Sequence, residues 1–366
     1  MGNVKMQKID LCVIQDHDLA QVFLDMDQRP AVKTVVVIDQ IVPPNSPKVS
    51  ALHKALREKA EKEGLDFYYG KGMCAELLAN GLLKADESAV VCDKAAGAAG
   101  AIGAKVFLAD AVQLKQVLET GELSQERSAE DSESKKNVVK TTGNLPEGLS
   151  AKDLALSLVK ELGAEAISGK ELVLTGDTLK SLDLSDKMTI CGVLGKAGAV
   201  TVTVENVKTG EPAAFNTNTA DSEISTYIFD AAKTREVTAL PGGCTEIKPL
   251  SELSAVKIKS VFIGGTTGGT LKELAQAASM LKGRKIAYGL RLIVAPADAD
   301  TYIKAATAGY LTDVLEAGGL VINHCGSPEV QGRIGKTEVM VSNDLENKPG
   351  YAGFETSKTY LTSTKA

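Results

Sequence analysis

Phe262-Ile-Gly-Gly-Thr-Thr-Gly-Gly-Thr270 joins two patterns of different period. Before it, Val256, Ile258, Val261, Phe262 and Ile263 form a strand-like apolar run. After it, Leu271, Leu274, Ala278 and Leu281 recur with the 3.6-residue period of a helix face. Thr270 and Glu273 have the spacing of a capping box. The stretch therefore predicts a strand, a glycine turn and a helix N-terminus. Several backbone N–H groups and the positive end of the helix dipole converge at such a place and favour an anion. Gly264, Gly265, Thr266 and Thr267 are accordingly candidate ligand-binding residues.

Outward from this point, strand-like and helix-like segments alternate along the chain, which predicts α/β layers. Residues 35–38 read as a strand. Ser46-Pro47 then opens a helix with Val49, Leu52, Leu56 and Ala60 on one face. Residues 89–92 read as a buried strand feeding the small-residue segment 95–104. Ser150 and Asp153 start a helix carrying Leu154, Leu158 and Leu162, with Gly163 as its expected end. Residues 172–174 and 200–204 read as strands around a helix over 185–196. In the last third, strands at 256–263, 290–294 and 319–322 alternate with helices, the second from about Asp298, as two crossover units of a parallel sheet. Residues 124–144 are polar and aperiodic and read as a linker or mobile loop. The expected organisation is an N-terminal lobe over 1–123, that linker over 124–144, a middle lobe over 145–236 and a C-terminal lobe over 237–366.

A length of 366 residues with 44% hydrophobic and 24% charged content suits two or three domains with cores of their own. A net charge of −6 gives no electrostatic reason to expect nucleic acid or an anionic membrane surface. Residues 1–15 have no signal-peptide h-region, and Met6 stands where myristoylation wants Ser or Thr, so a cytoplasmic protein is expected. The six cysteines form no Cys-x-x-Cys pair, which argues against a zinc or thioredoxin-like site. Most lie in apolar runs and read as buried, reduced thiols. Among the three histidines, His53 falls beside an apolar helix face and His17 in a polar turn, neither with a partner at metal-ligand spacing.

A series of short motifs, in order, carries a resemblance. Ile9-Asp-Leu-Cys-Val-Ile-Gln-Asp16, Ile38-Asp-Gln-Ile-Val-Pro-Pro44, Gly70-Lys-Gly-Met-Cys74 and the ungapped segment 91–104 are followed by Lys187-Met-Thr-Ile-Cys191, Ala239-Leu-Pro241, the glycine stretch and Glu316-Ala-Gly318. Together they resemble the aconitase superfamily, and within it the large subunit of 3-isopropylmalate dehydratase. The resemblance implies three-layer α/β/α lobes with mixed or parallel sheets. It also implies small hydroxy di- or tricarboxylate substrates and a dehydration on an iron–sulfur cluster held by three cysteines.

This chain departs from the family where the chemistry sits. Thr266 stands at the first cysteine-ligand position, and the later Cys-x-x-Cys becomes Cys325-Gly-Ser-Pro328. The family's Asp-Ser-His becomes Asp93-Lys94-Ala95, its Asp-His pair Asp39-Gln40, and a helix glutamate Lys196. Two arginines become Glu346 and Tyr351. A single remaining thiolate cannot hold a cluster, so no cofactor and no metal are expected. The candidate site is then Asp93, Lys94 and Lys196 as catalytic groups, with Gln15, Asp16, Asp39, Gly264, Gly265, Thr266, Thr267 and Glu346 as ligand-binding groups. Lys94 and Lys196 either meet a carboxylate in the old substrate cavity or face solvent, or Lys196 pairs with Glu346 and fills the cavity. Cys325 reads either as an ordinary thiol or as a reactive one.

Three functions follow from these residues. The first is a non-catalytic or repurposed binder of a small carboxylate or other anion. The second is a cluster-independent lyase or isomerase on a small carboxylic acid, and the third a conventional hydro-lyase. A separate small subunit or a second copy of the chain are the expected macromolecular partners.

Overall fold

The computed structural model describes residues 5–125, 136–205, 224–324, 326 and 333–366. The described strands form four sheets, a two-stranded ribbon and three larger sheets with helices packed on them. The first of the larger sheets holds five parallel strands in the order Asp66–Tyr69, Thr34–Ile38, Leu11–Gln15, Ser88–Val91 and Lys105–Leu108. Its central strands are buried along their whole length, which is why they read as unbroken apolar runs rather than as alternating ones. The second has four parallel strands, Thr201–Val204, Glu171–Gly176, Lys136–Thr142 and Ser225–Asp230.

The third sheet is mixed, with seven strands. Lys358–Leu361, Val339–Ser342, Ser260–Ile263, Arg291–Val294 and Leu320–Val321 run parallel. Val237–Ala239 and Ile247–Pro249 extend it antiparallel. The two crossover units expected in the last third are present, with shorter strands than the apolar runs suggest: the first begins at Ser260 instead of Val256.

Local signals set the helix starts. Ser46 caps the Pro47–Glu63 helix, and Ser150, Thr270 and Asp298 cap Ala151–Ile167, Leu271–Leu281 and Ala299–Thr307. The boxes Ser150/Asp153 and Thr270/Glu273 form with both hydrogen bonds in place. One helix end differs from expectation. Gly163, with φ 72°, breaks the axis, but the segment continues to Ile167 because Ala166 and Ile167 are buried.

The polar stretch also differs. Residues 136–142 are an inner strand of the second sheet, and residues 122–125 pair with Lys5–Lys8, so the linker expected over 124–144 is structured at both ends. Its middle, 126–135, lies outside the described residues. Tertiary pairing overrides the polar composition: in Lys136–Thr142 alternate residues are buried and the rest sit nearer solvent.

The Leu184–Lys196 helix packs on the small-residue 3₁₀ segment Lys94–Ile102 and on Ala151–Ile167, joining the first lobe to the second. Small side chains are needed there. A Cβ on Gly100 would lie 1.8 Å from the Val202 carbonyl oxygen, so only glycine admits the strand so close.

Candidate functional site

A cavity of about 350 Å³ opens where loops of the three lobes meet. The first lobe contributes His17, Gln40, Cys92, Asp93 and Leu108. The middle helix contributes Gly192 and Lys196. The C-terminal lobe contributes Thr266, Gly326 and the loop residues Asp344, Leu345, Glu346, Lys348 and Tyr351. Asp93, Lys196, Thr266 and Glu346 are thus gathered from four separate parts of the chain. The Lys94 side chain and Cys325 lie outside what the structure describes.

Lys196 ends its helix and forms an ion pair with Glu346. Burial and the nearby Lys348 push the Lys196 ammonium pKa down, while Cys244, Asp344 and Asp93 pull it back. Contact with the Glu346 carboxylate favours the charged form. The pair does form, but the cavity stays open beside it, because Glu346 is 28% exposed and lies along the wall.

At the glycine turn, one carboxylate and one side-chain amide accept from two of the backbone N–H groups. The Thr266 N–H donates to Asp344 Oδ1 at 3.1 Å and the Gly264 N–H to Asn343 Oδ1 at 2.8 Å. The Leu345 N–H also donates to Asp344 Oδ1, at 2.7 Å. An added Cβ on Gly265, whose φ is 82°, would lie 2.1 Å from Asp344 Oδ1, so the carboxylate seats directly on the turn. The acceptor that meets the turn's Thr266 N–H is the chain's own Asp344, while the helix start beyond it is capped by Thr270 and Glu273. Thr266 faces the cavity, whereas Thr267 is buried behind it, accepting from Lys152 Nζ at 3.0 Å.

Gln15, Asp16 and Asp39 do not line the cavity. They are buried behind it: Gln40 lines the cavity, its Nε2 donates to Asp39 Oδ1 at 3.0 Å and its backbone N–H to Asp16 Oδ1 at 2.9 Å, and Gln15 Nε2 donates in turn to Asp39 Oδ1 at 3.3 Å. Asp16 accepts the backbone N–H groups of Asp39, Gln40 and Ile41 and meets His53 Nε2 at 3.0 Å. Asp39 accepts the Cys74 N–H at 2.7 Å. Its burial, with Asp16 close by, raises its carboxyl to about 7. His53 therefore has a partner that sequence spacing does not reveal.

Sequence reading leaves out three groups. His17 stands on the cavity wall, its Nδ1 accepting the Leu19 N–H at 3.2 Å. Burial lowers its pKa against the pull of Asp93, Asp16 and Asp18 and of the Cys92 carbonyl. Asp344 fills the glycine turn. Lys152 is fully buried at 1% exposure, its ammonium pKa lowered by burial and drawn back by Glu273, Asp344, Cys244 and Asp153. No local signal marks any of them, since each owes its role to residues distant in sequence.

The described residues do not fit a cluster of the kind the resemblance implies. Thr266, where the resemblance implies a ligand cysteine, presents a hydroxyl at 6% exposure. Among the described residues Cys92 is the cysteine on the cavity wall, and burial with Asp93 nearby pushes its thiol up to about 12, which disfavours the thiolate a metal needs. No three His, Cys, Asp or Glu side chains converge on a metal-sized site among the described residues. Cys12, Cys74, Cys191 and Cys244 are buried free thiols.

Three α/β lobes around a cavity at a strand–glycine turn–helix junction define an aconitase-like protein. The chain belongs to the aconitase family: the family profile described as aconitate hydratase matches residues 4–210, more than half its length. It is 28% identical over 389 residues to 3-isopropylmalate dehydratase large subunit 1 of Methanopyrus kandleri, covering 99% of this chain and 90% of that protein. It is likewise 28% identical to the probable 3-isopropylmalate dehydratase large subunit of Methanothermobacter thermautotrophicus, over 90% of this chain and 81% of that one. A probable methanogen homoaconitase large subunit from Methanosarcina mazei is 29% identical, over 88% and 84% of the two chains. Among solved structures, aconitase X of Thermococcus kodakaraensis in its holo-form superposes with a TM-score of 0.53 at 14% identity, covering 93% of this chain and 83% of that one. That likeness concerns the fold. Among the described residues no helix is long and apolar enough to cross a membrane.

Proposed function

We propose that this chain is a cluster-free member of the aconitase family whose three-lobe cavity binds a small carboxylate or a similar small anion. The observation that carries the reading is Thr266, a hydroxyl on the cavity wall at the turn where the resemblance implies a thiolate ligand. Lys196 and Lys348 supply the cationic side of the cavity, and Thr266, Gln40 and Tyr351 surround it with polar groups. In this reading Asp93, with Lys94 beside it in sequence, completes the site, and the protein works in the cytoplasm as a binder. Its relatives are named as large subunits, which supports a separate small subunit as partner, with a second copy of this chain as the other candidate.

The test is thermal unfolding of the full chain with malate, malonate and inorganic phosphate. A ligand at a hundred times its Kd stabilises the folded state by about 2.7 kcal/mol. The expected result is a raised midpoint with at least one of the three that is lost in Lys196→Met. Unchanged midpoints throughout reject the reading.

A second reading, a cluster-independent lyase or isomerase, has one observation in its favour. Asp39, linked to the cavity through Gln40, has a carboxyl raised to about 7, which suits proton transfer near neutral pH. Formation of an α,β-unsaturated acid from malate, followed by ultraviolet absorbance, distinguishes it from binding alone. The conventional hydro-lyase reading needs a cluster that the described residues do not fit.

A further inference from the structure

We propose that Glu346 is an internal competitor for the cavity: its carboxylate holds, at Lys196, the place that a ligand's carboxylate takes. The proposal rests on the carboxylate-binding reading and adds how the site is occupied and what it selects.

The loop after the Val339–Ser342 strand sends two carboxylates to the cavity, and each serves a different donor. Asp344 meets the glycine turn, accepting the Thr266 and Leu345 N–H groups. Glu346 meets the Lys196 ammonium. Together they accept from Thr266 N–H, Leu345 N–H and the Lys196 ammonium, donors that an anion in the cavity would otherwise meet.

The two differ in how readily they leave. Asp344 is 4% exposed, receives two backbone N–H bonds and is seated on Gly265, so moving it uncovers buried donors. Glu346 is longer, more exposed and paired to a side chain, and in a mostly buried ion pair the Coulombic gain is largely offset by desolvation. A modest rotation of the glutamate frees Lys196 without disturbing the turn. The freed ammonium then shares the cavity with Lys348, which already acts on it electrostatically. Two cations in one cavity favour a ligand carrying two carboxylates over one carrying a single carboxylate. The exchange is one carboxylate for another at Lys196, so no charge is stranded in the wall.

The proposal makes Glu346 a specificity residue whose removal strengthens binding. Isothermal titration calorimetry of the full chain at low salt, with malate and with lactate as the monocarboxylate control, tests it on wild type, Glu346→Gln and Lys196→Met. The expected result is at least about two-fold tighter malate binding in Glu346→Gln, since the ligand no longer displaces a paired carboxylate. Malate should bind more tightly than lactate, and Lys196→Met should lose most of the affinity. Equal or weaker malate binding in Glu346→Gln, with binding intact in wild type, overturns the competitor while leaving the carboxylate reading standing. Absence of malate binding in both proteins overturns both. Cooperative thermal unfolding of Glu346→Gln and Glu346→Ala is measured alongside. Loss of that cooperativity in both would make the carboxylate a structural strut and overturn the proposal as well.

Discussion

Lys152 Nζ, from the first turn of a middle-lobe helix, donates to the Thr267 hydroxyl of the C-terminal lobe at 3.0 Å, and both side chains are buried. Thr189 reaches the same residue, its hydroxyl donating to the Thr267 carbonyl at 3.3 Å. The glycine turn is thereby held from the middle lobe by two polar contacts, one of them a buried charge compensated by Glu273 and Asp344. Lys152→Met should cost about 3–5 kcal/mol, because it leaves buried carboxylates without their cation. Thr267→Val, which removes a hydroxyl but no charge, should cost about 1–3 kcal/mol. Urea unfolding of both variants checks the order, and a Lys152→Met protein as stable as wild type would contradict it.

Asp39 gives the fold a pH dependence of definite sign. Its folded pKa is about 7, against roughly 3.9 in an unfolded chain. The folded state therefore keeps a proton that the unfolded state releases. This contribution to stability is full below about pH 4 and is lost as pH rises through 7. Glu76, also raised to about 7 by burial and by Asp298, acts in the same direction. Asp39→Asn should flatten the decline between pH 4 and 7 by up to about 1.4 kcal/mol per pH unit. Superimposable pH profiles for the two proteins would remove Asp39 as the cause.

Gly192 sits on the cavity wall in the middle of the Leu184–Lys196 helix. By propensity alone, alanine there should stabilise by about 1 kcal/mol. Its Cβ, however, would lie 2.7 Å from Thr267 Cγ2 and 3.0 Å from Leu345 Cδ1, both on buried residues. Overpacking of that degree costs about 1–3 kcal/mol, so Gly192→Ala should lower the melting temperature. A rise would mean that the helix and the C-terminal lobe separate more easily than their packing indicates.

Anaerobic reconstitution with iron and sulfide should leave the protein without a stoichiometric cluster, because the resemblance implies cysteine ligands at the positions of Thr266 and Pro328. Thr266→Cys alone should not change this, since it restores one thiolate of the two that are missing. Iron and sulfide analysis with visible absorption is the measurement. A full cluster in wild type would return the chain to conventional hydro-lyase chemistry.

Elements whose cause is local were legible in the sequence. The capping boxes at Ser150 and Thr270 and the proline-started helix after Ser46 stand where period and caps put them, and the crossover strands of the last third are present though shorter than their apolar runs. Expectation failed where the cause was distant. The polar residues 136–142 read as linker, yet they form an inner strand because Glu171–Gly176 and Ser225–Asp230 flank them. His17 lies in the turn the sequence puts it in, but that this turn lines the cavity, within reach of Asp93, depends on packing.

The sequence by itself determined the α/β class and the strand–glycine turn–helix junction, and through the resemblance it set Thr266, Pro328, Glu346 and Tyr351 as the expected departures from the family, because these are properties of residue type, period and order. Only the tertiary structure decided what the replacements do. Lys196 and Glu346, 150 positions apart, pair along the wall of an open cavity. Asp344 closes the glycine turn from 78 positions away, and Lys152 holds Thr267 across 115. Charge and hydrogen bonding act over a few ångströms, and which groups come within that range depends on how whole lobes pack.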